Sequence, residues 1–139
     1  MYTIRISESV KLEIIEQAII NRGQPIKGFL YGTISDYGDE IDIKGIYYDR
    51  SKVNVNNKYL TDARRAQGVL GMKLVGRFES THTHLRYKDV ENEGLTIVYA
   101  PTYGELGAVV KEEDTTYKGR IYTKKKEKLN KKLMSYDCK

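Results

Sequence analysis

The stretch Pro25-Ile-Lys-Gly-Phe-Leu-Tyr-Gly-Thr-Ile-Ser35, followed by Asp36-Tyr-Gly-Asp39 and Glu40-Ile-Asp-Ile-Lys-Gly-Ile-Tyr-Tyr48, decides how this chain is read. Its first part carries two glycines four apart, Gly28 and Gly32, which suits a strand against which something packs closely. Asp36 to Asp39 are turn formers, and Ile41 and Ile43 then share one face of a returning strand. The pair reads as a β-hairpin.

Upstream of the hairpin, Tyr2 to Ile6 alternates as a strand does. Ser7 or Ser9 can cap a helix in which Val10, Ile14, Ala18 and Leu12, Ile15, Ile19 recur at helical spacing, until Asn21-Arg-Gly23 stops it. Downstream, Asn56 or Asn57 can cap a second helix with Leu60, Ala63, Gln67 and Leu70 on one side, ended by Gly71. A strand from Lys73 to Thr83 follows, then a polar stretch from Leu85 to Gly94. Leu95 to Ala100, Leu106 to Lys111 and Tyr117 to Tyr122 read as three closing strands. This order predicts a mixed α/β domain: a largely antiparallel, curved sheet with two main helices packed on it.

Composition sets the frame. A chain of 139 residues with 40% apolar content is one domain with a real core. No uninterrupted apolar run approaches the roughly 18 residues of a membrane helix, and the first residues lack an apolar signal core, so a soluble, cytoplasmic protein is expected. The lone Cys138 excludes an internal disulfide and a cysteine-based zinc knuckle. Residues 118 to 139 carry eight lysines and one arginine against Glu127 and Asp137, a net of +7 in a chain of net +5. The domain is therefore placed at residues 1–123 and a basic tail, helical or flexible, at 124–139. Such a tail can rest on nucleic acid or an acidic partner, or serve as a solvated helix.

The residues with chemistry cluster at one strand end. Both histidines, His82 and His84, stand two apart, and side chains at i and i+2 of an extended segment leave the same face, so their imidazoles could share a divalent ion such as zinc. A hydrolytic zinc site needs a third ligand and a base for the bound water. Asp89 is the preferred third ligand, with Glu91 and Glu93 as alternatives. Glu79 is the candidate base, and Ser80 or Thr81 could polarise an oxyanion.

The element order, with Gly28-Phe-Leu-Tyr-Gly32 in the second strand and Leu74-Val-Gly-Arg-Phe before the histidines, resembles the JAB/MPN domain of the JAMM metallopeptidases over residues 2 to about 122. The resemblance implies a layout akin to that of cytidine deaminases. It also implies zinc held by two histidines and an aspartate, and hydrolysis of peptide or isopeptide bonds, often beside a ubiquitin-like modifier. The family's general-base glutamate falls on Pro25, which cannot handle a proton. Anchored on Gly76, the two histidine positions fall on Glu79 and Thr81, and the Ser and Asp positions on Asp89 and Asn92. Anchored on His82 and His84, the Ser and Asp positions fall on Asn92 and Leu95. An odd-residue bulge near Glu79 to Thr81 would give the histidines the family's orientation.

Two functions are carried forward. One is a divergent JAMM-type zinc hydrolase using His82, His84 and Asp89 with Glu79. The other is a metal-free MPN-type interaction module that docks a protein or peptide, or pairs as a homodimer or with a related domain.

Overall fold

The computed structural model describes residues 2–21, 24–52, 54–87 and 90–124. The elements run β1 (Tyr2–Ser7), α1 (Glu8–Ile20), β2 (Lys27–Ile34), β3 (Glu40–Tyr47), α2 (Asn57–Leu70), β4 (Lys73–Ser80), β5 (Gly94–Ala100), β6 (Glu105–Glu112) and β7 (Thr115–Lys124). Ser7 caps α1 by accepting the Val10 N–H, Asn56 caps α2 by accepting the Tyr59 N–H, and Gly71 ends α2 in the left-handed conformation. The basic tail from residue 125 onward lies outside the described residues.

The seven strands close into a barrel in the order β1-β3-β2-β4-β5-β6-β7. The open curved sheet expected from the sequence, and with it the JAB/MPN layout, is thereby corrected. The physical reason is the seam. β1 pairs parallel on both sides, with β3 through Thr3↔Glu40 to Ile6↔Ile43 and with β7 through Tyr2↔Gly119 to Ser7↔Lys124. At the closure β7 lies edge to edge with β1, and Gly119 leaves room there for Ile4, since a Cβ on Gly119 would stand 3.0 Å from Ile4 Cγ1 and 3.1 Å from the Cβ of Ala108 on β6. With both edges paired, no sheet edge runs the length of the molecule.

Alternation along the strands sorts the core into layers. Ile4, Ile6, Leu30, Ile43, Phe78 and Ile97 form the inner cluster, joined by Val10, Ile14 and Ala18 of α1. Gly28 and Gly32 behave as their spacing suggests. The Phe78 ring occupies the space where a Gly28 side chain would be, and the Asp42 backbone carbonyl closes on Gly32. On the opposite sheet face, Phe29 and Tyr31 pack under Tyr59 and Ala63 of α2. The Tyr31 hydroxyl donates to the Ala63 carbonyl at 2.6 Å and the Tyr59 hydroxyl to the Lys27 carbonyl at 2.7 Å. Burial raises both phenols, Tyr59 to about 12, so both remain protonated donors at neutral pH. A third cluster, Val90, Val98 and Val109, lies under the segment carrying Leu85 and Tyr87.

Two irregularities interrupt the ladders. The β2–β4 register skips Val75, and the β2–β3 register skips Lys44. Neither falls near Glu79 to Thr81, where a bulge would have been needed to re-aim the histidines.

Candidate functional site

β4 ends at Ser80, three residues before the expected end of the strand, and the chain bends through His82 and Thr83. Local hydrogen bonds explain the stop. The Thr81 N–H donates to the Tyr99 carbonyl at 2.9 Å, and the Thr83 N–H turns back to Thr81 Oγ1 at 3.3 Å. The same-face geometry that would converge two imidazoles belongs to an extended strand, and these residues are not in one. His82 is exposed. The His84 ring stacks on Tyr103 with centroids 3.5 Å apart, and its Nδ1 lies 2.7 Å from Glu105 Oε1.

The other expected site residues divide in the same way. Ser80 is buried, and its Oγ accepts the Ile26 N–H at 2.9 Å while its own N–H donates to the Ile26 carbonyl. It ties β4 to the lead-in of β2 and faces away from the turn. Glu79 points the other way, opposite Lys27 in the ladder, into a recess of about 60 Å³ shared with Thr81, Thr83, His84 and Arg86. Burial raises its carboxyl above the ordinary value of 4.5, against the pull of Lys27 and Arg77. Glu93 accepts the Glu113 N–H at 3.1 Å, and Lys111 donates to the Glu91 carbonyl at 3.3 Å, so this segment braces the β6–β7 turn. Asp89 lies outside the described residues. Among the described residues, no three His, Cys, Asp or Glu side chains are grouped to hold a metal ion.

A second concave surface was not anticipated from the sequence. It is a groove of about 530 Å³ between α1, the second half of β3 and the end of α2. Its size falls within the roughly 300–1,000 Å³ of ligand clefts. One wall is the polar flank of α1, with Ser9, Glu13 and Gln17 at helical spacing beside Val10. The floor is Lys44 to Tyr48, and Leu70 and Met72 form the far wall.

β3 explains the groove. Its pairing with β1 stops at Ile43, because the next residue of β1 is the cap of α1. Gly45 to Tyr47 continue to pair with Tyr31 to Phe29 of β2 on one side. On the other side, among the described residues, no strand lies beside them. The barrel therefore has a notch. Inside it, Gln17 Nε2 donates to Glu13 Oε1 at 3.0 Å, and Gln17 Oε1 is buried without a partner. Met72 lays its methyl end over Gly45, where a Cβ would come within 2.5 Å of it. Leu70, 38% exposed, lines the groove, whereas the exposed Leu12 and Ile19 of α1 are not among its lining residues.

Signals for this site existed. β1 is two residues shorter than β3, and Ser7 is a capping residue where the longer neighbour continues. Only the pairing of β1 with β3 turns that difference into a cleft.

No family model matches the chain, and neither does any curated protein. Among solved structures, it is similar to the solution structure of protein DSY2949 from Desulfitobacterium hafniense, with a TM-score of 0.74 over 89% of this chain and 94% of that one, at 16% sequence identity. That likeness is one of fold: a small seven-stranded β-barrel, and not the JAB/MPN fold. No helix among the described residues is long and apolar enough to cross a membrane.

Proposed function

We propose that this chain is a protein-interaction module whose working surface is the groove between α1, β3 and α2. The observation that carries this is the notch in the barrel, where a strand edge, a buried amide oxygen and adaptable apolar side chains meet without partners among the described residues. Unpaired backbone and amide groups lose hydrogen-bond energy unless water or a partner supplies it. Methionine and leucine walls accept varied apolar surfaces. The reading is tested by selecting short linear peptides from a random library on the full chain, then comparing variants. Met72→Arg and Leu70→Glu are expected to weaken the selected peptides by roughly tenfold or more. His82→Ala/His84→Ala is expected to leave them unchanged, and the opposite pattern would move the function to the histidine turn.

A second reading has one observation in its favour. The raised Glu79 carboxyl shares a recess with His84, as a general base beside a metal would. A zinc-dependent hydrolase at this turn would need its third ligand from Asp89. Elemental analysis of the chain beside the double histidine variant tests it: about one zinc per chain, lost in the variant, supports the hydrolase, and zinc absent after reconstitution removes it.

A further inference from the structure

The groove specifies the form of its occupant as well as its place. Gly45, Ile46 and Tyr47 are extended and paired with β2 on one side only. In such a strand, alternate residues direct both N–H and C=O toward the open side. Only another extended backbone meets those groups in register, since a helix has spent its own donors and acceptors internally. Lys44 is the extra residue of a bulge just before this segment, and a bulge bends its strand and adds twist. The bend carries β3 out from beside β1 at the point where β1 turns into α1.

We propose that an extended peptide segment of a protein partner joins the barrel here as an added strand beside Gly45 to Tyr47, between Glu13 and Gln17 of α1 and Leu70 and Met72. This rests on the interaction reading above and gives it a mode and a chemistry. Side chains of an added strand alternate between two walls. Those facing α1 meet the Glu13 carboxylate beside the Gln17 amide, so a donor, and best a cationic one, belongs there. Those facing the other way meet Leu70 and Met72 and are apolar. Gly45 leaves the floor low, and the Met72 thioether above it rotates aside at little cost, as an unbranched side chain can. Lys44, exposed at the start of the open edge, discourages indiscriminate strand pairing and favours segments that bring a carboxylate to that end.

The test uses the full chain and peptides selected on it from a random linear library. Each selected peptide is resynthesised with a single N-methyl group at successive positions, which deletes one backbone donor at a time. Affinity is expected to fall roughly tenfold at alternate positions and to hold at those between. Amides within Gly45 to Tyr47 are expected to exchange more slowly in the complex. Binding that is lost in Leu70→Glu and Met72→Arg, yet tolerates every N-methyl group without protecting these amides, would overturn strand addition while leaving the groove as the interaction surface. Peptides indifferent to both substitutions, or no groove-dependent peptide at all, would overturn the interaction reading itself. Protection of the same amides that rises with protein concentration alone would assign the edge to a second copy of this chain and overturn the proposal of a separate partner. Circular dichroism of each variant separates lost binding from lost fold, and Leu70→Glu sits at a helix end where the side chain is already partly exposed.

Discussion

Two strands of this barrel end in opposite conditions. β4 ends at the histidine turn, where each chemically notable side chain that the structure pairs is held by the fold itself: Ser80 by Ile26, Thr81 by Thr83, His84 by Glu105 and Tyr103. β3 ends in the α1 groove, whose residues suggest no chemistry by type, yet its backbone edge and the Gln17 oxygen have no protein partner among the described residues. The difference teaches that residue type and unspent bonding capacity point to different surfaces of the same barrel. A histidine that already has a carboxylate and an aromatic face has less to offer a ligand than an amide oxygen that accepts no bond.

The comparison can be broken most forcefully at the stem of β4. Phe78 is fully buried, with its ring in the space left by Gly28, and Phe78→Ala is expected to cost about 3–5 kcal/mol in urea unfolding. Ser80→Ala removes the acceptor of a buried N–H and is expected to cost about 1–3 kcal/mol. A loss of activity toward any substrate in Ser80→Ala without that loss of stability would mean that Ser80 acts at the turn after all.

Glu79 gives a pH-dependent test. Its carboxyl ionises at higher pH in the folded chain than in the unfolded one, where the ordinary value is 4.5. As pH rises through that window the unfolded chain releases a proton that the folded chain still holds, so stability falls. Glu79→Gln is expected to be more stable than the parent at neutral pH, with the difference vanishing as pH drops below the unfolded value. Unfolding midpoints across the acid range check this, and a parent more stable than the variant at neutral pH would show Glu79 paired rather than merely buried.

The smallest effects separate the two strand ends most finely. His84 is 65% exposed, so its contact with Glu105 is screened, and His84→Ala is expected to change stability by less than about 1 kcal/mol. Gln17→Leu is expected to be near neutral, because the bond it removes between Gln17 Nε2 and Glu13 is offset by deleting a buried acceptor that makes none, while weakening any peptide held in the groove. If Gln17→Leu were strongly destabilising, the amide would be part of the fold and the groove would lose its polar anchor.

Much of the local structure was legible in the sequence, though the fold class was not. The hairpin, both helix caps and the stop at Gly71 followed from local chemistry, as did the close packing at Gly28 and Gly32. Closure was not legible, because β1 finds its partners in β3 and β7 by parallel pairing that no turn encodes, and β7 shows mostly exposed side chains with little alternation to fix its face. The sequence therefore reads as an open sheet, and the JAB/MPN resemblance built on that order falls with it. The histidine geometry departs from expectation for a local reason: Thr81 and Thr83 bond to each other and end the strand that parity assumes. The groove could not be seen, since it arises from unequal lengths of two strands that only the folded pairing sets side by side.

The measurement that bears most directly on the groove is a backbone amide map of the isotopically labelled full chain, titrated with a library-selected peptide. Shifts concentrated on residues 44–48, with companions at Gln17, Leu70 and Met72, are the expected result. Shifts concentrated instead on residues 79–86, with the β3 edge unmoved, would contradict it and return the function to the histidine turn.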